Sequence, residues 1–169
     1  MLRRLLVLPV LLLAACASTP SKTANDSPAE LQDFAASAKF AVRWHENLGE
    51  AGSYMLRPAL LDDAIVGVSS RGVLSAYSRS TGKPLWQVKT GLNVAGGVGA
   101  GDKMLLLGSD KGEVAAFDLS GHLLWQVKVS SEVLSAPQIA EGLVLVRSAD
   151  GRIAALNALN GERVWLYER

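Results

Sequence analysis

The single cysteine of this 169-residue sequence, Cys16, carries its most nucleophilic side chain once the thiol is deprotonated. Cys16 directly follows an apolar run at residues 5–15, and Arg3 and Arg4 precede that run. A positive start, a short apolar stretch and small residues at its end are the features of a secretory signal. Such a run is too short to span a bilayer, which needs about 20 apolar residues. We therefore predict that the protein is exported and that residues 1–15 form a signal peptide.

The run Leu13-Ala14-Ala15-Cys16 resembles the bacterial lipobox. In such precursors the cysteine thiol receives a diacylglyceryl group, the peptide is cut just before the cysteine, and the new amino group is acylated. The resemblance implies cleavage between Ala15 and Cys16, with a multiply acylated Cys16 that anchors the protein stably. Ala17 stands where an Asp would favour the inner membrane, so we expect the periplasmic face of the outer membrane. The alternative is an ordinary signal that contains a cysteine by chance.

Other residue types capable of catalysis are scattered along the chain. His45 and His122 are isolated, and the acidic residues lie about one per predicted turn without a cluster of metal-ligand spacing. The glycine-rich run at 96–101 lacks the Lys-Ser/Thr of a phosphate-binding loop and precedes a predicted strand rather than a helix. We therefore predict no catalytic residue, no metal and no cofactor, and a protein that is not an enzyme.

Composition restricts the class of protein further. Apolar residues make up 49% of the chain, and 17 basic residues nearly balance 16 acidic ones. This balance argues against a nucleic-acid partner, which needs clustered positive charge, and the apolar content argues against disorder. Residues 16–38 are the exception, because Ser, Thr, Pro and Ala dominate there. We assign them to the lipidated cysteine and a flexible tether, with one short helix predicted at 28–36 from its capping residues.

From residue 40 onward the sequence repeats with a period of about 40 residues. The four tryptophans are spaced by 42, 39 and 40 residues, and two sets of glycines keep the same step. Landmarks that keep step in this way indicate a repeat architecture. The repeated positions are Trp44, Trp86, Trp125 and Trp165, with Gly72, Gly112 and Gly151 in one turn and Gly82, Gly121 and Gly161 in the next.

Each repeat contains four short apolar runs separated by turn residues, and no window sustains a helical period. Four strands per 40 residues predict an all-β fold made of β-propeller blades, each a sheet of four antiparallel strands. We assign a lone strand of a closing blade to 39–52, blade 1 to 53–91, blade 2 to 92–130 and blade 3 to 131–169.

The repeated residues are interpreted as structural. An indole on the outermost strand can bury a large area against the neighbouring blade, so the tryptophans are predicted to dock one blade on the next. The six glycines are predicted to supply positive φ in hairpin turns. Tryptophans at this period could instead line a ligand site, but a site is made once whereas these residues recur in every repeat.

Segments 76–86 and 155–165 resemble the quinoprotein-like propeller repeat Ala-x-Asp-x-x-x-Gly-Lys-x-x-Trp, with Ser78 and Asn157 at its Asp position and Glu162 at the Lys position of the second segment. The copy at 116–125 is one residue shorter. Together with the lipobox, this repeat makes the chain resemble the N-terminal part of the BamB family, lipoproteins of the outer-membrane β-barrel assembly machinery. Segments 132–137 and 150–157 also fit that family.

The resemblance implies about three of an expected eight blades and a non-catalytic scaffold that aids the folding and insertion of barrel proteins. It implies BamA, the other subunits of the machinery and nascent outer-membrane barrel proteins as partners. No residue is assigned to the BamA contact. The alternatives are a quinoprotein-like dehydrogenase, which would use pyrroloquinoline quinone and Ca²⁺, and a propeller scaffold of another envelope complex.

Replacement of Cys16 by Ala is expected to abolish lipidation, because the chain has no other thiol to receive the diacylglyceryl group. Incorporation of a clickable fatty acid in cells measures the effect, with Ala17→Ser as the matched control that should keep the label. Label on the Cys16→Ala protein would contradict the lipobox assignment.

Overall fold

The computed structural model describes residues 30–33 and 37–168, and the chain divides into two units between Phe40 and Ala41. Residues 30–33 are not helical, so the helix predicted at 28–36 is wrong there, and the rest of that range lies outside the described residues. A helix this short is marginal without packing, and Leu31, on its expected apolar face, is 94% exposed.

The second unit consists of three four-stranded antiparallel sheets, each built from four consecutive strands in chain order. The described residues contain no helix, and hence none that could cross a membrane. The predicted all-β fold with four antiparallel strands per repeat is confirmed. The strands are β1 (Ala59–Leu60), β2 (Ala64–Val68), β3 (Val73–Ser78), β4 (Pro84–Lys89), β5 (Val94–Gly101), β6 (Met104–Ser109), β7 (Glu113–Asp118), β8 (Leu123–Lys128), β9 (Gln138–Ala140), β10 (Leu143–Arg147), β11 (Ile153–Asn157) and β12 (Arg163–Tyr167).

Tight hairpins connect the second strand of each sheet to the third and the third to the fourth. All six predicted turn glycines lie in these hairpins, with φ between 73° and 86°. An L-residue with a side chain rarely adopts such angles, whereas glycine does so without steric cost. The glycine spacing in the sequence therefore records the positions of the hairpins.

Neighbouring sheets are joined by a contact that we call the indole latch. The Nε1–H of Trp86 donates to the Leu119 carbonyl of the second sheet at 3.0 Å, and that of Trp125 donates to the Ala158 carbonyl of the third sheet at 2.8 Å. Each ring covers a hairpin glycine: Trp86 covers Gly121 and Trp125 covers Gly161. A Cβ on either glycine would lie within 3.0 Å of ring atoms, so only glycine leaves room for the indole.

The lone strand predicted at 39–52 is absent, because no residue from 37 to 58 is in a strand. Trp44 nevertheless makes the same latch on the first sheet: its Nε1–H donates to the Arg79 carbonyl at 3.0 Å, and its ring covers Gly82. A strand is defined by ladder hydrogen bonds to a neighbour, and the described residues offer this segment no neighbouring strand. The docking contact of Trp44 is therefore made without a strand, and the assignment of 39–52 to a closing blade stays a prediction.

The core consists of two apolar layers, one between the first and second sheets and one between the second and third. Leu105 and Leu107 of β6 belong to the first layer, whereas Leu106 between them belongs to the second. All three side chains are fully buried. Since β6 is covered on both faces, its sequence is a continuous apolar run instead of an alternating one.

Replacement of Trp125 by Ala is expected to lower the free energy of unfolding by about 3–5 kcal/mol, since the ring is 8% exposed and joins two sheets. The matched control is Trp165→Ala, at the same repeat position but 42% exposed, which should cost roughly half as much or less. Urea denaturation of the full chain measures both. Equal losses would contradict a docking role for Trp125.

Replacement of Gly121 by Ala is expected to cost about 1–3 kcal/mol more than replacement of Gly151 by Ala. Both glycines have a φ of 86°, so the backbone strain is the same. A Cβ on Gly121 would meet the Trp86 ring at 3.0 Å, whereas a Cβ on Gly151 meets nothing within 4 Å. Chemical denaturation of the two variants isolates the latch, and a larger loss for Gly151→Ala would overturn this account.

Candidate functional site

The structure brings the predicted residues together in pairs rather than at one centre. Trp44, Trp86 and Trp125 each contact one glycine in the hairpin between a third and a fourth strand, as described above. Trp165 is 42% exposed. In the other glycine set, Gly72 and Gly112 lie close to carbonyls of the connecting segments, and Gly151 lies in open space. Ala15 and Cys16 lie outside the described residues, so cleavage and lipidation stay predictions.

A serine that was not singled out from the sequence lies at the end of the second strand of each sheet, or directly after it. Ser69, Ser109 and Ser148 are 4%, 0% and 5% exposed and start the turns that contain the first glycine set. The Oγ of Ser69 accepts from the Val73 amide at 3.1 Å, and that of Ser109 accepts from the Glu113 amide at 2.9 Å. The detectable signal was a serine three residues before each of these glycines.

The segments that lead into each sheet are fixed on this same turn. The amides of Ser70, Asp110 and Ala149 donate to the carbonyls of Glu50, Asn93 and Glu132, at 2.9, 3.1 and 2.8 Å. Residues 44–50 therefore hold the first sheet as the two later connectors hold the second and third. These backbone bonds set the spacing of successive sheets.

The glycine-rich run at 96–101 lies within β5, where the backbone of the next repeat approaches it closely. A Cβ on Gly96 would lie 2.6 Å from the Ser135 carbonyl oxygen, and one on Gly99 would collide with the Pro137 carbonyl. Glycine therefore permits the backbones to touch. The run is therefore a packing feature of β5.

One end of the sheets exposes several leucines among charged turn residues such as Asp62 and Lys103. This end of each sheet carries the turn between its first and second strands and the hairpin between its third and fourth strands. Six leucines at this end are 40–87% exposed, and we call it the leucine-rich end. A groove of about 540 Å³ between the first two sheets opens there. The opposite end carries Arg71, Asp110, Lys111 and Asp150 in its turns. The exposed leucines are Leu60, Leu85, Leu119, Leu123, Leu124 and Leu159.

Part of this exposure follows from a β-bulge that recurs in the outermost strand of each sheet. The register shifts by one residue just before each tryptophan of β4, β8 and β12. The extra residues are Leu85, Leu124 and Val164, which are 55%, 49% and 55% exposed. An apolar side chain is thus presented to solvent at the same place in every repeat.

The titratable groups with shifted pKa values are engaged in turns. A hydrogen bond of 2.5 Å from the Ser148 hydroxyl lowers the pKa of Asp150 to about 2, against the opposing effect of desolvation. Arg152 bridges Asp150 and Glu168 at 3.0 and 2.7 Å. Hydrogen bonds from the backbone and side chain of His122 lower the pKa of Asp118. The carboxylates of Asp118 and Asp150 therefore stabilise the hairpin turns in which they lie.

Among residues 30–33 and 37–168, no group of three or more His, Cys, Asp or Glu side chains could hold a metal ion. What the described residues do offer is a set of exposed leucines at one end of the sheets, beside charged turn residues such as Asp62 and Lys103. Such surfaces are suited to contacts with other macromolecules.

A family model described as outer membrane protein assembly factor BamB matches residues 41–169. The protein of that name from Nitrosomonas eutropha is 34% identical over 125 residues, which are 74% of this chain and 31% of that protein. The one from Bordetella pertussis is 29% identical over 160 residues, or 95% of this chain and 42% of that protein.

Solved structures share the arrangement of the sheets. BamB from Moraxella catarrhalis superimposes with a TM-score of 0.63 at 30% identity, over 68% of this chain and 35% of that chain. The quinohemoprotein alcohol dehydrogenase from Comamonas testosteroni gives 0.65 at 22% identity, over 75% of this chain and 22% of that chain, and shows the fold alone. The sheets are thus propeller blades.

The chain spans less than half the length of these curated relatives and of the solved structures. Within that span, the family match covers every strand, all four tryptophans and all six turn glycines. The chain belongs to the BamB family of outer membrane protein assembly factors.

Proposed function

We propose that this protein is a non-catalytic lipoprotein scaffold of the outer-membrane β-barrel assembly machinery, where it aids the folding and insertion of barrel proteins. The observation that carries the proposal is the BamB family match over the whole described second unit. The proposed location is the periplasmic face of the outer membrane, held by lipid on Cys16. The proposed partners are BamA, the other subunits and nascent barrel proteins.

The leucine-rich end is the surface we assign to partner contacts. Exposed apolar patches of this kind mark interaction sites more often than isolated apolar residues do. The groove between the first two sheets places Leu60, Leu85 and Leu119 beside Asp62 and Lys103, so an apolar side chain could enter between charged neighbours. Charged groups at the rim of such a groove would select the orientation of a partner.

The dehydrogenase alternative has support from the fold alone, since the two quinohemoprotein alcohol dehydrogenases and the methanol dehydrogenase are at most 22% identical to this chain. We infer that this chain is not a dehydrogenase, because the relatives at 30% identity or more are named as assembly factors. Quinone-dependent dye reduction by the purified protein would instead support the enzyme.

Affinity capture of the full chain from solubilised outer membranes is expected to recover BamA. The double variant Leu85→Ser, Leu124→Ser should reduce that recovery by about tenfold or more, because each change removes an apolar side chain from the leucine-rich end. The matched control is Leu134→Ser, which is similarly exposed (53%) but lies at the opposite end. Capture of a different envelope complex would favour a scaffold elsewhere.

A further inference from the structure

The groove between the first and second sheets has an apolar floor and an open mouth. Met104 of β6 is 9% exposed and Trp86 of β4 is half-buried at the floor, whereas Leu85 and Leu119 at the mouth are 55% and 40% exposed. The structure describes the sheets on both sides, so the groove does not depend on the outer face of the first or the third sheet. Its volume of about 540 Å³ is typical of ligand pockets, so it can admit a large side chain.

The side chains that leave this groove open do not recur between the second and third sheets. There Ile139 of β9 lies over Gly101 of β5, and a Cβ on that glycine would collide with it. Ala100 has the register position in β5 that Ile139 has in β9, and it is exposed in the groove. Leu61, in the place of Gly101, packs against the first core layer. A small side chain at one position therefore keeps the first interface open where the second is filled.

Lys103, at the rim of the groove, has a backbone conformation that lysine disfavours. The two-residue turn between β5 and β6 has φ angles of 47° at Asp102 and 62° at Lys103. The same turn between β9 and β10 has Gly142 at its second position, with a φ of 74°. Glycine is the preferred residue there, because it has no side chain to clash with the backbone. A lysine kept against this preference beside a groove points to a role for its ammonium group.

The rim of the groove carries charges of both signs. Asp62 and Asp63 follow β1 on the side of the first sheet, and Lys103 precedes β6 on the side of the second. None of these three side chains makes a hydrogen bond or an ion pair with another described residue. A partner that brings a basic group to the aspartates and an acidic group to the lysine is therefore complementary to the rim. Such pairs set the orientation of a partner more than its affinity.

We propose that this groove binds an extended segment of an unfolded barrel protein, with one aromatic side chain on the apolar floor and a basic and an acidic neighbour at the rim. The inference rests on the proposed function, which supplies clients of this kind. Barrel strands alternate apolar and polar side chains and carry aromatic residues near both ends. In an extended segment the ring can enter the groove while its polar neighbours stay outside, within reach of the rim charges. This recognition uses side chains and needs no edge strand.

Fluorescence anisotropy with the labelled peptide Gly-Ser-Thr-Lys-Phe-Glu-Thr-Ser-Gly measures binding to the full chain. Serine in place of the phenylalanine of the peptide should abolish binding, and glutamate in place of its lysine should weaken it. Ala100→Ile supplies the side chain that fills the second interface, so it should weaken binding about tenfold or more. The matched control is Ala100→Ser, which is similar in size to the parent residue and should bind as the parent does. Urea denaturation verifies that both variants are folded.

Lys103→Gly separates the ammonium group from the backbone of its turn. It should weaken peptide binding about two- to fivefold, as expected for an exposed ion pair. It should not lower the urea midpoint, because glycine accepts a φ of 62° without strain. The control is Glu141→Gly, which relieves a φ of 54° in the corresponding turn of the third sheet and should leave binding unchanged. A lower midpoint with unchanged binding would contradict the role assigned to Lys103.

A parent protein that does not bind the peptide, or an Ala100→Ile variant that binds as well as the parent, would overturn the groove assignment. Capture of BamA from solubilised outer membranes tests the proposed function separately. Recovery of BamA by a protein that does not bind the peptide would overturn the groove assignment alone. Groove-dependent peptide binding without recovery of BamA would support the groove and contradict the scaffold role.

Discussion

The hydrogen bond from an indole N–H to a carbonyl, made across a hairpin glycine, is the contact on which the arrangement of the sheets depends. A single four-stranded sheet with two apolar faces is unstable in water, because both faces would be exposed. Each sheet must therefore be covered by its neighbours. The indole buries a large apolar area, and the hydrogen bond from its single N–H fixes the orientation of the ring on the neighbouring sheet. Glycine is required opposite it because the ring lies against the turn backbone itself.

A second, backbone-only set of contacts works at the other end of the sheets. The buried serines hold the turns in shape, and the connectors donate and accept hydrogen bonds across those turns. Each sheet is therefore held at two separated places, by side chain at one end and by backbone at the other. Two fixed points determine an angle, whereas one would leave the sheets free to rotate. The glycines of β5 allow the backbones to meet near the innermost strands.

The sequence predicted the sheets well because tryptophan and glycine have few tolerable alternatives at these positions. A ring of that size and a turn with positive φ leave the same residue types in every repeat. The serines escaped notice because serine is common and its role is set by burial, which spacing alone does not show. No strand forms at 39–52, because the repeat position of Trp44 fixes the docking contact of its side chain, whereas a strand also needs a neighbouring strand. The exposed leucines could be located only once the register of each outer strand was known.

The bulge in each outermost strand has a consequence for solubility. An edge strand with a regular row of free amides and carbonyls is a template on which another strand can pair. The extra residue at Leu85, Leu124 and Val164 interrupts that row at the same point in each blade and increases the local twist. A passing strand can therefore match only a few residues before its register fails. Each additional blade adds an open edge strand, and the bulge that recurs in that strand protects it against pairing with another chain.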